Sequence, residues 1–267
     1  MREFTNLAWP ETPFGADTRP FPKRVFLAAS TAVQWADDGD RAVPMAAAMV
    51  YLPLHRTKAR QLDPATFHFG YRAFVLTAET DAATIAAAID GHLVQARRLA
   101  VVVAAHDYLD DAAGLLQWTS THTAGIASVA AAWENRASTE RGTAALLETA
   151  RDLTPHEPKL FQACEVHGLA VTEGYGGLPI TFDAQAAYEA FIDADDPPTD
   201  DEREAIVQSL AHGAVYQALA VALLAAKGME RAEWDAPLPV GALMDAVTWD
   251  VFPRVRRAPQ PAAASQL

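Results

Sequence analysis

The chain reads as an α/β protein built on one mixed sheet of five strands, three antiparallel and then parallel ones, flanked by helices and followed by a C-terminal extension. Three observations predict this. Between residues 24 and 78, three apolar stretches follow one another with short polar connections, the pattern of an antiparallel meander. From Asp81 the apolar period changes to that of a helix. An unbroken apolar run from Leu99 to Ala105 with three consecutive valines then reads as a strand buried on both faces, and the polar cluster after it falls at a strand-to-helix handover, where α/β proteins usually place their chemistry.

Residues 1–22 hold four prolines and little periodicity, and read as an irregular leader over a domain spanning 23–228. The first strand covers about 24–32. Asp37-Asp-Gly-Asp40 turns the chain into a second, from Ala42 to Leu54, which Pro44 and Pro53 confine to roughly eight residues. A basic loop, His55 to Arg60, precedes a third strand at about 66–78 in which Phe67, Phe69 and Tyr71 alternate with smaller residues. Ile85, Ile89 and Leu93 share one face of the first helix, with Thr80 available as its N-cap. After the central strand a helix runs from about Asp107 to Trp118, a weaker strand is expected within Ile126 to Trp133, and a helix over 139–153 places Leu146, Leu147 and Leu153 inward.

Residues 155–183 read as a surface loop. Their Gly174-Tyr-Gly-Gly177 has neither P-loop nor dinucleotide spacing. A short helix at 184–192 and an acidic linker at 193–202 lead to the strongest helix of the chain, opened by the capping box Thr199-x-x-Glu202 and ended by Gly228 as C-cap. The extension, 229–257, carries Trp234 and Trp249, and a Pro/Ala-rich tail from Ala258 reads as disordered.

Composition narrows the function classes. A lone cysteine, Cys164, excludes an internal disulfide and reads as an ordinary packed residue. No run of 18 apolar residues and no basic, then apolar N-terminal segment is present, so a soluble, cytoplasmic protein with no membrane partner is expected. The net charge is −13, and most of the excess lies in the second half: residues 1–133 hold 11 basic and 13 acidic residues, 134–267 hold 10 and 21. Nucleic-acid binding rests on Lys and Arg against phosphates, and the local basic clusters are only His55 to Arg60 and Arg254 to Arg257. A protein or nucleotide-like ligand is therefore favoured as partner, with nucleic acid possible.

Three stretches carry a family resemblance. Val25-Phe-Leu-Ala28-Ala-Ser30 is a buried-strand segment, His106-Asp107-Tyr-Leu-Asp110-Asp111 follows the central strand, and His212 with Gln217 lies in the long helix. Together they resemble the DnaQ-like (DEDDh) 3′-to-5′ exonuclease superfamily of RNase H-like fold, with Asp-x-Glu on its first strand, His and then Asp five residues on in its second motif, and His-x4-Asp on its last helix. His106, Asp111 and His212 match. Ala28, Ser30 and Gln217 stand where that family has carboxylates.

The resemblance implies hydrolysis of a terminal phosphodiester by two divalent metal ions, with Asp111 as metal ligand, if any, and His212 as general base, vestigial or actual. Two close metals need a cluster of anionic ligands, and one matched carboxylate does not supply it. No cofactor is therefore expected, and the expected function is a catalytically impaired exonuclease-like protein that binds or regulates through the inherited cleft or surface. One alternative is an active Mg²⁺- or Mn²⁺-dependent exonuclease or phosphodiesterase using other acids, with Asp107, Asp110, Glu79 and Asp40 as candidates. The other is an accessory assembly subunit working through its Trp-bearing C-terminal segment.

Overall fold

The computed structural model describes residues 1–7, 26–55, 58–63, 67–119, 123–133, 144–153, 159–171, 184–193 and 198–246. Ten strands lie among them: β1 (Arg2–Thr5), β2 (Phe26–Asp37), β3 (Ala42–Leu54), β4 (Arg60–Gln61), β5 (Gly70–Val75), β6 (Val102–Ala105), β7 (Ala145–Glu148), β8 (Leu169–Ala170), β9 (Ala232–Glu233) and β10 (Leu238–Pro239). The α-helices are α1 (Ala82–Leu99), α2 (Tyr108–Gln117), α3 (Ala124–Trp133), α4 (Leu160–Val166), α5 (Ala184–Tyr188), α6 (Asp200–Gly228) and α7 (Val240–Ala246).

Six of the strands form one mixed sheet in the order β1-β5-β3-β2-β6-β7. β3 pairs antiparallel with β2 on one side and with β5 on the other, β6 runs parallel to β2, and β7 parallel to β6. The α/β class with a mixed sheet is thus as the sequence predicts. The sixth strand is β1, which lies antiparallel on β5 within what reads as an irregular leader; residues 8–22 of that leader lie outside the described residues.

Helices cover both faces. Tyr51 on β3 meets His92 of α1 through its hydroxyl, 3.1 Å from Nδ1, and its cross-strand partner Ala29 shares that face. Ser30, next along β2, points the other way and donates to the Ala218 carbonyl of α6 at 2.6 Å. Side chains alternate along a strand, so α6 takes one face of the sheet, and α1, with α2 and α3 beside it, takes the other. Close seating follows from composition: Ala28, Ala46, Ala48, Ala211, Ala214, Ala218 and Ala222 are all fully buried, and methyl side chains let a helix backbone approach the strands.

α6 is long and apolar enough to cross a membrane by length and composition, yet its apolar stretch is packed inside the fold. Its capping box forms as the sequence reads: the Thr199 hydroxyl accepts from Glu202 N, and the Glu202 carboxylate accepts from Thr199 N at 2.9 Å. The helix end differs. Gly228 is still helical and Met229 is the C-cap; a Cβ at Gly228 would lie 2.5 Å from Leu153 Cδ2, so that glycine makes room for a neighbour.

Two elements change type. Residues 126–133 are part of helix α3, not a strand, because Ile126, Val129 and Trp133 bury at helical spacing. Residues 145–148, expected within a helix, are strand β7, where buried Leu146 and Glu148 alternate with half-buried Ala145 and Leu147. Both prolines sit inside β3, which runs to 13 residues. Pro44 falls where the register against β2 shifts, and Pro53 near the strand's end. The first strand is longer than expected and the third shorter. The cap of α1 is Asp81, not Thr80, after a short turn at Glu79–Asp81.

The described part of the C-terminal extension folds back. β9 pairs with β4 and β10 with β8, and the Trp234 indole donates to the His167 carbonyl at 3.0 Å with the Lys227 ammonium 4.2 Å from its ring. Trp249 and the tail lie outside the described residues, as do Arg254 to Arg257 and the glycine-rich segment 174–177.

Candidate functional site

The positions singled out by the family resemblance fall on opposite faces of the sheet. Ala28 and Ser30 are wholly buried on β2 beneath α6. Ser30 bonds to the carbonyl of Ala218, the residue after Gln217, so the first-motif and last-helix segments do meet, but with backbone against side chain and no cleft between them. His212 and Gln217 are half-buried on α6.

Asp111 belongs to the other layer. Its Oδ1 accepts from the Trp35 indole at 2.8 Å, and Trp35 stands five positions beyond Ser30 on β2, which alternation and a rise of about 3.3 Å per residue place roughly 16 Å away on the opposite face. The chain therefore does not gather Asp111 with Ala28, Ser30 and Gln217. Of the other acids considered, Glu79 is engaged by Arg41, and Asp40 is exposed at the tip of the β2-β3 hairpin.

What gathers instead is an acidic corner at the C-terminal ends of β6 and β7. β6 runs into His106 and Asp107, and β7 ends on Glu148, paired with Ala105. Glu148 is only 3% exposed although it carries a carboxyl. Its Oε2 accepts from the Trp133 indole at 3.0 Å and from the first backbone N–H of α2, at Tyr108, at 3.2 Å. Tyr108 stacks on Trp133 with ring centroids 4.4 Å apart and donates its hydroxyl to the Ile126 carbonyl, so α2, α3 and the strand ends close over this carboxyl.

The Thr149 hydroxyl donates to the Ala105 carbonyl at 3.2 Å and lies 2.9 Å from His106 Nδ1. A hydroxyl has one proton to give, so His106 donates from Nδ1 and carries its proton there when neutral. Asp107 and Asp110 are exposed at the rim.

Electrostatics set this corner apart. Burial pushes the Asp111 carboxyl up to about 7 against the pull of the Trp35 hydrogen bond, and the negative charges of Asp107, Glu148 and Asp110 add to the rise. Burial likewise lifts Glu148 to about 7 despite the Tyr108 and Trp133 donors, with Asp107 adding to it. Two carboxyls that exchange protons near neutrality are what acid–base chemistry requires, and such groups cluster at functional sites. Among the described residues, no group of three His, Cys, Asp or Glu side chains is placed to hold a metal ion.

Cys164 is buried and its thiol is pushed up to about 12 by that burial and by Glu165, the opposite of an activated nucleophile. Sequence reasoning found His106, Asp107, Asp110 and Asp111 but missed Glu148, Thr149, Trp35 and Trp133. A carboxylate in the inward phase of Ala145-Leu-Leu-Glu148 was the available signal, and reading that stretch as helix hid it. No protein-family model, curated protein or solved structure matches the chain.

Proposed function

We propose that the chain is an exonuclease-like protein of RNase H-like fold that does not hydrolyse phosphodiesters and serves in the cytoplasm as a binding or regulatory module. The observation that carries this reading is Ser30: where the family resemblance calls for a motif carboxylate, the hydroxyl is spent on the Ala218 carbonyl beneath a helix seated directly on the strand. Three antiparallel strands followed by two parallel ones, with helices on both faces, support the RNase H-like reading. The acidic second half of the chain favours a protein or nucleotide-like partner over a long nucleic acid.

A thermal melt with and without millimolar Mn²⁺ or Mg²⁺, paired with degradation of a fluorescent single-stranded oligonucleotide, tests it. No metal-dependent shift and no degradation are expected. A shift accompanied by mononucleotide release, lost in an Asp111→Ala, His212→Ala double variant, would overturn the proposal. It would establish instead a nuclease drawing on the acidic corner, the one feature that favours this second reading.

A further inference from the structure

Glu148 has two oxygens with different fates. Oε2 accepts from the Trp133 indole and Tyr108 N, the Ala150 N–H also pulls on the carboxyl, and buried Oε1 has no donor in full hydrogen-bonding geometry among the described residues. An ionised carboxylate in that setting leaves charge on a buried oxygen poorly paired among the described residues, a cost that taking up a proton relieves. The neutral acid is penalised less, because an unpaired buried hydroxyl costs less than an unpaired buried charge. Oε2 still accepts, and Oε1 carries the hydrogen.

The surroundings push the same way. From α2, Asp107 and Asp111 both bring negative charge to bear on this corner, and Asp110 adds to the field at Asp111. From the end of β6, His106 is tied to Thr149, next to Glu148 in the chain. In the turn after β7, Asp152 accepts from Glu148 N at 2.9 Å, and Arg151 is exposed. α3 contributes Trp133 and has no ionisable side chain. α1 contributes Asp90 and Arg97, whose charges reach Tyr108. The N-terminal dipole of α2 favours the anion. Burial and the charge of Asp107 oppose it, as does Asp111 when ionised.

We propose that Glu148 is a proton-operated latch which, when protonated, fastens α2 and α3 onto the ends of β6 and β7 and, when ionised, releases them. The elements it joins depend on it in an identifiable way. α2 is held through its first N–H and α3 through the indole of its last residue, both on one oxygen, and the Tyr108–Trp133 stack joins the two helices directly above. Release lets water reach Oε1 and frees the rim that carries Asp107, Asp110 and Asp111. Folded Glu148 titrates at about 7 and an open, solvated glutamate near 4.5. The closed form thus binds more protons between these values, is fully favoured below the lower one, and loses ground as pH rises through the upper one.

Hydrogen exchange on the full chain from pH 5 to 8.5, read on segments covering 108–133 and corrected for the intrinsic pH dependence of exchange, tests the latch. The opening constant should rise up to about tenfold per pH unit towards pH 7 and level off above it. Glu148→Gln, which keeps an acceptor for both donors and cannot ionise, should flatten that rise. Asp107→Asn, at an exposed position, should keep the rise and move its midpoint to lower pH. A flat wild-type profile, a rise that survives Glu148→Gln, or an unmoved midpoint in Asp107→Asn would each overturn the proposal.

Discussion

Restoring the carboxylates of the family motif on β2 tests how α6 sits on the sheet. Ala28→Asp with Ser30→Glu places two acids where both native side chains are wholly buried. Three costs follow from the packing. Enlarging a filled core position costs about 1–3 kcal/mol at each site. The Ser30 hydrogen bond to Ala218, 2.6 Å long, is lost at about 1 kcal/mol. Each new carboxyl must stay protonated or remain buried without a partner, at roughly 1–3 kcal/mol even as the neutral acid. The sum is about 5–13 kcal/mol, comparable with the whole stability of a typical domain, about 5–15 kcal/mol. Circular dichroism melts and urea titrations with and without Mn²⁺ should therefore show a double variant that is unfolded or has lost most of its stability, with no rescue by metal. A variant that melts near the wild-type temperature and gains stability from Mn²⁺ would refute the reasoning. It would mean that α6 stands off β2 far enough to leave a metal cleft.

Two further predictions concern the opposite face. Burial holds the folded Asp111 carboxyl at about 7 against an ordinary 3.8, so the folded state binds the extra proton between those values and loses stability as pH rises from about 4 to 7, by at most roughly 4 kcal/mol. Asp111→Asn keeps an acceptor for the Trp35 indole and cannot ionise; urea denaturation should find it more stable than wild type at pH 8 with a shallower pH dependence, and a variant less stable at pH 8 would contradict this. At Gly125, an added Cβ would lie 2.1 Å from the backbone oxygen of Asp90, an atom that cannot step aside without moving α1. Gly125→Ala should cost about 2 kcal/mol or more in the same titration, and a neutral result would show that α3 does not lie so close to α1.

The legible parts of the fold were those with a strong local signal. The Leu99–Ala105 run gives strand β6, the Thr199-x-x-Glu202 box starts α6 where it reads, and the stretches around Ala28, Met49 and Tyr71 give three neighbouring antiparallel strands. The errors share a cause. Ala124–Trp133 and Ala145–Glu148 are both short and rich in alanine or leucine, so their periodicity is carried by only two or three residues, and which period wins is settled by tertiary contacts. Trp133 turns inward because Tyr108 and Glu148 await it, and β7 extends because β6 offers an open edge. Pro44 argued for a shorter second strand, but it sits at a register shift, where the ladder is already irregular and a missing N–H costs less.

The candidate site was half legible for a related reason. Motif spacing fixes positions along the chain, not the face of the sheet on which a side chain emerges, so Asp111 and Ser30 could be matched to one family pattern and still stand on opposite sides of β2. Alternation along β2 separates them, and no adjustment of helix α6 alone reunites them, because Asp111 is tied through Trp35 to the far face. The sheet's chemistry therefore divides. On the α6 face close packing spends the Ser30 hydroxyl on the Ala218 carbonyl, while the α2–α3 face brings Asp107, Asp110 and Asp111 near Glu148, the carboxyl that spacing did not reveal. Among the described residues, the two carboxyls raised to about 7, Asp111 and Glu148, both stand on that second face, which is where acid–base exchange near neutrality is to be sought first.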